Sequence, residues 1–309
     1  MHLFAEQPVS NSIVLAMNLA IAACVAVWVW VASLRSQHRP ILPYQPRRPV
    51  PWGIIDVVAM TIAYVFTPAI LLHALYQWHG VSIGAALEAT DKALPLDASH
   101  PVARVLSEHA GTWPLLMCVA LVIVIAPITE ELLFRLLLQG WLETVERRLR
   151  WRLHGLRSIA RGVLPVATVA VLFAAIHIRK PEPRIELTVL IYLLSVQAIA
   201  SVLVIILLLA WLKYAAGATL ADLGVVPAKV AGDLRLGLLT FLAVTPPVYA
   251  ITIAAKMLLP ESVVADPIPL LFLAVALGTL YYRTHRIVPS MVLHMAFNAV
   301  GVLMAIATS

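Results

Sequence analysis

Charge is what this sequence lacks most. Only 12% of its 309 residues are Asp, Glu, Lys or Arg, against about 25% in a soluble domain. So little charge cannot coat the water-facing surface of a chain this long, which excludes a soluble globular protein. Cysteine is nearly missing too. Cys24 and Cys118 both fall inside apolar stretches, leaving no disulfide framework and no thiolate zinc site. Low-complexity tracts are lacking. A net charge of +6 does not imply nucleic acid, because the basic residues sit in short segments between apolar runs. Anionic lipid and the positive-inside rule produce that pattern. No Lys or Arg precedes the first apolar run, and that run outlasts a signal-peptide core, so it reads as a retained span.

What is present is long apolar runs, and a helix needs about 20 such residues to cross the hydrocarbon core. Candidate spans lie near 13–34, 53–77, 113–143, 162–178, 187–212, 235–258, 267–283 and 289–307. The expected fold is therefore all-α, a polytopic transmembrane bundle of about eight spans. The third run is too long for one straight crossing, and Pro127 inside it predicts a kink or a projection into water. The fourth is short and ends on a histidine, so it is expected to stop within the membrane thickness.

Arginine and lysine then set orientation. Arg35, Arg39, Arg47 and Arg48, the run Arg147, Arg148, Arg150, Arg152, Arg157 and Arg161, then Lys213, Lys229 and Arg235, then Arg283 and Arg286, all alternate onto one side. That bias predicts a cytoplasmic 147–161 loop and an outer N-terminus. The exception is the 179–184 cluster on the opposite side. The 79–112 segment, with Glu88, Asp91, Asp97 and Glu108, is expected to form a short amphipathic helix and a lid-like loop outside.

Ionisable groups inside apolar spans are costly and mark functional candidates. Here they are Glu130, Glu131 and Arg135 in span three, His177 ending span four and His294 in span eight, with Asn298 as a polar companion. His73 is a weaker outlier. Pro127 suits the first turn of a restarted helix, and its positive end favours the two carboxylates. Glu131 and Arg135 share a face at four-residue spacing and can pair. Glu130 points about 100° away, without a local cation and free to face a cavity as a general base. Phe173 and His177 share a face, as do His294 and Asn298. Asn298 could orient the imidazole or donate to an oxyanion.

Two carboxylates, two imidazoles and an amide suffice to activate water and stabilise an oxyanion. One carboxylate with two imidazoles, Glu130, His177 and His294, would also serve a divalent metal such as zinc. Two other readings use the same residues. In a non-catalytic membrane scaffold or regulatory protein they would bridge helices. In a transporter, Pro127 and Pro246-Pro247 would permit broken helices near a midplane site, although inverted repeats are lacking.

The ordered set Glu130-Glu131-Leu-Leu-Phe-Arg135, Phe173-Ala-Ala-Ile-His177 and His294-Met-Ala-Phe-Asn298 resembles the CPBP family, the CAAX proteases and bacteriocin-processing (Abi-type) proteins that include type II CAAX prenyl endopeptidases. The run 277–289 leading into His294 is also similar. The resemblance covers roughly 113–180 and 267–302. It implies a glutamate-dependent intramembrane endopeptidase acting on a membrane-anchored peptide or protein, with a CAAX-like tail and a leader peptide both open as substrate. On that resemblance Glu130 and His177 activate water, His294 and Asn298 stabilise the tetrahedral intermediate, and Glu131, Arg135 and Phe173 support the site. Two departures stand out: Leu136 replaces the glycine usual after the motif arginine, and the stretch between His177 and His294 is long. The expected organisation is 1–112, two spans plus the outer loop, and 113–309, a catalytic bundle with an inserted pair of spans at about 187–258.

Overall fold

The computed structural model describes residues 11–79, 96–97, 104–105, 108, 111–153, 155, 158–178, 182–183, 185–258 and 267–308. Most of the predicted outer lid at 79–112 lies outside the described residues. Within it, Leu96–Asp97 pairs antiparallel with Glu182–Pro183.

The helices are α1 (Asn11–Ser36), α2 (Ile54–His79), α3 (Thr112–Arg152), α4 (Val163–Ile176), α5 (Leu187–Tyr214), α6 (Val230–Leu258), α7 (Pro267–Thr284) and α8 (Ile287–Thr308). Among the described residues, seven are long and apolar enough to cross a membrane. The exception is α4. Its 14 residues reach roughly 21 Å, short of the ~30 Å hydrocarbon core, so α4 is too short to cross it, and His177 caps its end.

Pro127 does not restart the helix. Instead α3 runs unbroken for 41 residues and absorbs the proline by changing its winding. A π turn at Leu121–Ile125 leads into Ala126–Glu130, and a second π segment covers Glu131–Gln139. Single π turns occur mostly as bulges in α-helices, frequently at functional sites. Beyond Gly140 the helix is ordinary α and carries the first arginines of the 147–161 loop.

The core forms around α3. Leu132, Leu133, Leu136 and Leu137 pack with Leu208 and Leu212 of α5, Val57 and Met60 of α2, and Tyr281 of α7. Leu19, Val29, Ile55 and Ile70 point outward from α1 and α2, where lipid rather than water is the expected neighbour. Lipid gives helices no hydrophobic reason to associate, so close backbone approach and polar contacts do it. A Cβ on Gly237 of α6 would come within 2.6 Å of Val292 Cβ on α8, so only glycine permits that crossing. The ring of Pro247 leaves the Ala243 carbonyl without its helical donor, and the Trp28 indole of α1 donates to it at 3.1 Å.

The 37–53 linker departs from its sequence reading as charged, membrane-flanking loop. It straps across the arginine-rich ends of the helices. Gln45 N–H donates to Arg283 O (2.8 Å), Val50 N–H to Thr144 Oγ1 (3.3 Å) and the Trp52 indole to Leu137 O (3.0 Å). Arg47 is drawn inward, against Tyr281.

Candidate active site

Glu130 and Glu131 sit where α3 passes from α to π winding, and the change separates their surroundings. The Glu131 side chain is fully buried, whereas that of Glu130 is 17% exposed. One Glu131 oxygen, Oε2, lies 3.6 Å from Arg135 Nε, the expected pair. The other, Oε1, faces Nδ1 of His294 on α8 at 3.0 Å. Glu131 thus has two tasks, and the second was not readable from spacing.

Both histidines present the same ring nitrogen to Glu130. Nδ1 of His177 lies 2.7 Å from the Phe173 carbonyl. A carbonyl only accepts, so Nδ1 carries the proton, leaving Nε2 4.0 Å from Glu130 Oε2. In His294 the Glu131 carboxylate likewise fixes the proton on Nδ1, and Nε2 lies 3.7 Å from the same Glu130 oxygen. Neither gap is a hydrogen bond, but each is narrow enough for a single water to touch both sides at hydrogen-bond distance. The candidates Glu130, His177 and His294, which lie on three helices, are therefore brought together.

Phe173 is the hub beneath them. Its ring lies 4.5 Å from that of His177 and meets His294 edge-on at 5.8 Å. The Arg135 guanidinium sits over it at 4.9 Å, a cation–π arrangement that strengthens away from water. Phe134 packs edge-on against it from α3 at 5.4 Å.

Asn298 is placed differently from expectation. Its amide makes a contact that spacing did not reveal: it donates to the Val122 carbonyl at 2.8 Å. The π register explains why. Ala126 N–H reaches back five residues to Leu121 O, so the next donor, toward Val122 O, would be residue 127. Proline has none. Asn298 therefore satisfies the carbonyl that Pro127 orphans, fixing α8 to α3 beside the site and keeping one amide proton and its oxygen for other partners. His73 is exposed on α2.

For Glu130, His177 and His294 as metal ligands the structure offers no direct support. Among the described residues, no group of three or more His, Cys, Asp or Glu side chains is placed to hold a metal ion, and no step below passes through one. Sequence reading missed Gln139 and Glu143, which continue the buried face of α3. Their signal was the four-residue repeat from Glu131.

Fold and site together define a polytopic helical membrane protein with a carboxylate–imidazole centre sunk in its bundle. The chain matches the family model described as type II CAAX prenyl endopeptidase Rce1-like over residues 112–225 and 234–300, more than half its length, and it belongs to that family. Neither the curated proteins nor the solved structures contain a match to it.

Proposed function

We propose that this protein is an intramembrane endopeptidase that hydrolyses a peptide bond in a membrane-associated substrate, on the side of the arginine-rich loop, which the charge bias makes cytoplasmic. The observation that carries the reading is the convergence of two Nε2 atoms on one Glu130 oxygen, at 3.7 and 4.0 Å. A water in that gap gives one proton to Glu130 as its oxygen attacks the scissile carbonyl. The Nε2 of His177 has no proton in the assigned tautomer and orients the same water by accepting from it. His294 differs, because Glu131 backs its Nδ1 with a carboxylate able to offset charge on the ring. Protonated at Nε2 as well, with Glu131 offsetting the added charge, it is the group suited to donate to the developing oxyanion, with the uncommitted amide proton of Asn298 beside it. Glu130 then returns its proton to the departing amine. Family membership supports a prenylated CAAX-type tail as the first substrate to try.

The test is cleavage of a farnesylated CAAX-type reporter peptide by the purified protein in lipid, with Glu130→Gln and His177→Ala as variants. Both are expected to stay folded and to lose hydrolysis. Full activity in either defeats the mechanism. Dialysis against a chelator is expected to leave cleavage unchanged. Loss that zinc alone restores would instead give Glu130, His177 and His294 to an ion.

A further inference from the structure

A second pattern on α3 leads away from the site. Glu131, Arg135, Gln139 and Glu143 recur every four residues, and all four are buried. In α geometry each such step drifts by about 40°. The wider-wound π segment over Glu131–Gln139 drifts the opposite way, which keeps the four near one line roughly 18 Å long. At the far end Glu143 receives Gln139 Nε2 at 3.1 Å and has Arg47 Nη2 3.8 Å away. Arg47 donates to the Tyr281 hydroxyl at 2.6 Å, and its side chain is 11% exposed, so this end opens at the arginine-rich surface. At the near end Glu131 holds His294, whose other nitrogen faces Glu130.

The stripe is polar, enclosed and underbonded. Among the described residues, nine buried side-chain nitrogen and oxygen atoms have no hydrogen-bond partner in the protein. Five of the nine lie on it, Glu131 Oε2, all three Arg135 nitrogens and Gln139 Oε1, and two more, Nε and Nη2 of Arg47, lie at its far end. The other two belong to the Asp233–Arg286 pair. Donors and acceptors alternate along the line, and the 3.6 Å between Arg135 Nε and Glu131 Oε2 is too long for a direct bond. Buried polar groups without protein partners are where internal water is held, each molecule making about three hydrogen bonds. Leu132, Leu133, Leu136 and Leu137 cover the neighbouring faces with apolar core, which confines water to this line.

We propose that the stripe holds a file of internal water from Arg47 to Glu131, and that the water consumed in each hydrolysis reaches Glu130 along it from the arginine-rich face. The supply role rests on the hydrolase reading; the bound water does not. Radiolytic hydroxyl labelling with microsecond X-ray pulses, on the whole protein in nanodiscs, tests the file directly. Tyr281 and Phe173, both buried beside stripe arginines, are expected to label despite their burial. Gln139→Leu, an apolar plug at mid-file, is expected to reduce labelling of Phe173 severalfold, and to lower kcat on the farnesylated reporter with KM unchanged. Gln139→Ser is expected to recover part of both relative to Gln139→Leu. Unlabelled Tyr281 and Phe173 in the wild-type protein overturn the file even if Glu130→Gln abolishes cleavage, and this holds whether or not the plug folds. Labelling that Gln139→Leu leaves unchanged overturns the route through Gln139. Labelling lost with kcat intact overturns the supply role. Labelled rings with no cleavage of the reporter by the wild-type protein would sink the hydrolase reading alone.

Discussion

At the arginine-rich end of α3, His285 has both ring nitrogens occupied. Nδ1 is 2.6 Å from the Gln45 carbonyl and Nε2 is 3.1 Å from the Glu143 carboxylate. Its backbone is left-handed (φ 48°), a conformation uncommon outside glycine, held by contacts on every side. At the other end of the bundle's polar line, His177 and His294 each have one nitrogen tied to the protein and the other aimed across a gap at Glu130. Both ends put histidine beside buried glutamate. Only one leaves a nitrogen and a carboxylate oxygen unspent, and it is that surplus, rather than the residue types, that separates a reactive pair from a structural one.

The sharpest way to break this contrast is to remove one group from each end. Glu130→Gln is expected to reduce kcat/KM by about 10²–10⁴-fold, the usual contribution of a general base, with thermal unfolding unchanged. His285→Ala is expected to do the reverse: it leaves buried Glu143 Oε2 and the Gln45 carbonyl without their hydrogen-bond partner, costing about 1–3 kcal/mol, while turnover per folded molecule persists. Equal loss of turnover in both variants would erase the distinction.

The adjacent glutamates give the next largest effect. Glu131→Gln leaves Arg135 fully buried with no anion at contact distance, and breaking such a pair costs about 3–5 kcal/mol. Chemical denaturation should therefore show Glu131→Gln strongly destabilised and Glu130→Gln near wild type. Matching stabilities for the two variants would mean the burial difference between them has no energetic content.

Asn298 refines the comparison, because its side chain has both a structural contact and a place in the mechanism. Asn298→Ala should destabilise the protein by about 1–3 kcal/mol by orphaning the Val122 carbonyl. Pro127→Ala supplies the missing N–H, so in that background the cost of Asn298→Ala should shrink, with a coupling of about 0.5–3 kcal/mol in a double-mutant cycle. Additive costs would show that Pro127 is not the reason Asn298 is needed there.

These contrasts explain what was legible in the sequence. Length and apolarity place the helices, including the short α4, because the bilayer sets both requirements. Glu130, His177 and His294 were recognisable as a set because ionisable groups are rare in such spans. The partner of each ring nitrogen was not, since the π winding of Glu131–Gln139 changes which way each side chain points relative to a regular helix. That shift is why Glu131 reaches His294, and the earlier π turn at Leu121–Ile125, followed by Pro127, is why Val122 needs Asn298. The strap at 37–53 has no periodicity to betray it. Arg47 looks like any membrane-flanking cation until Tyr281 and Glu143 are seen on either side of it.

The smallest expected effect also lies at the arginine-rich end, outside the spans, where Arg48 of the strap meets Asp222. The Arg48 guanidinium donates to both carboxylate oxygens, with Nε–Oδ1 at 2.8 Å, and the Thr219 hydroxyl and N–H add to it. Against the opposing effect of burial, these bonds hold the Asp222 carboxyl well below its ordinary range. A depressed folded-state value means the unfolded chain takes up its proton first as pH falls. The stabilisation is then complete above the unfolded Asp range, near 3.9, and is lost below it. Arg48 is 65% exposed, so solvent and salt screen the pair and its contribution at neutral pH is small. Arg48→Ala should lower the thermal midpoint slightly at pH 7. The gap to wild type should narrow as the pH drops below about 4 and narrow at neutral pH in high salt. A gap that stays constant across both titrations would show that Arg48 holds the strap by packing rather than by charge.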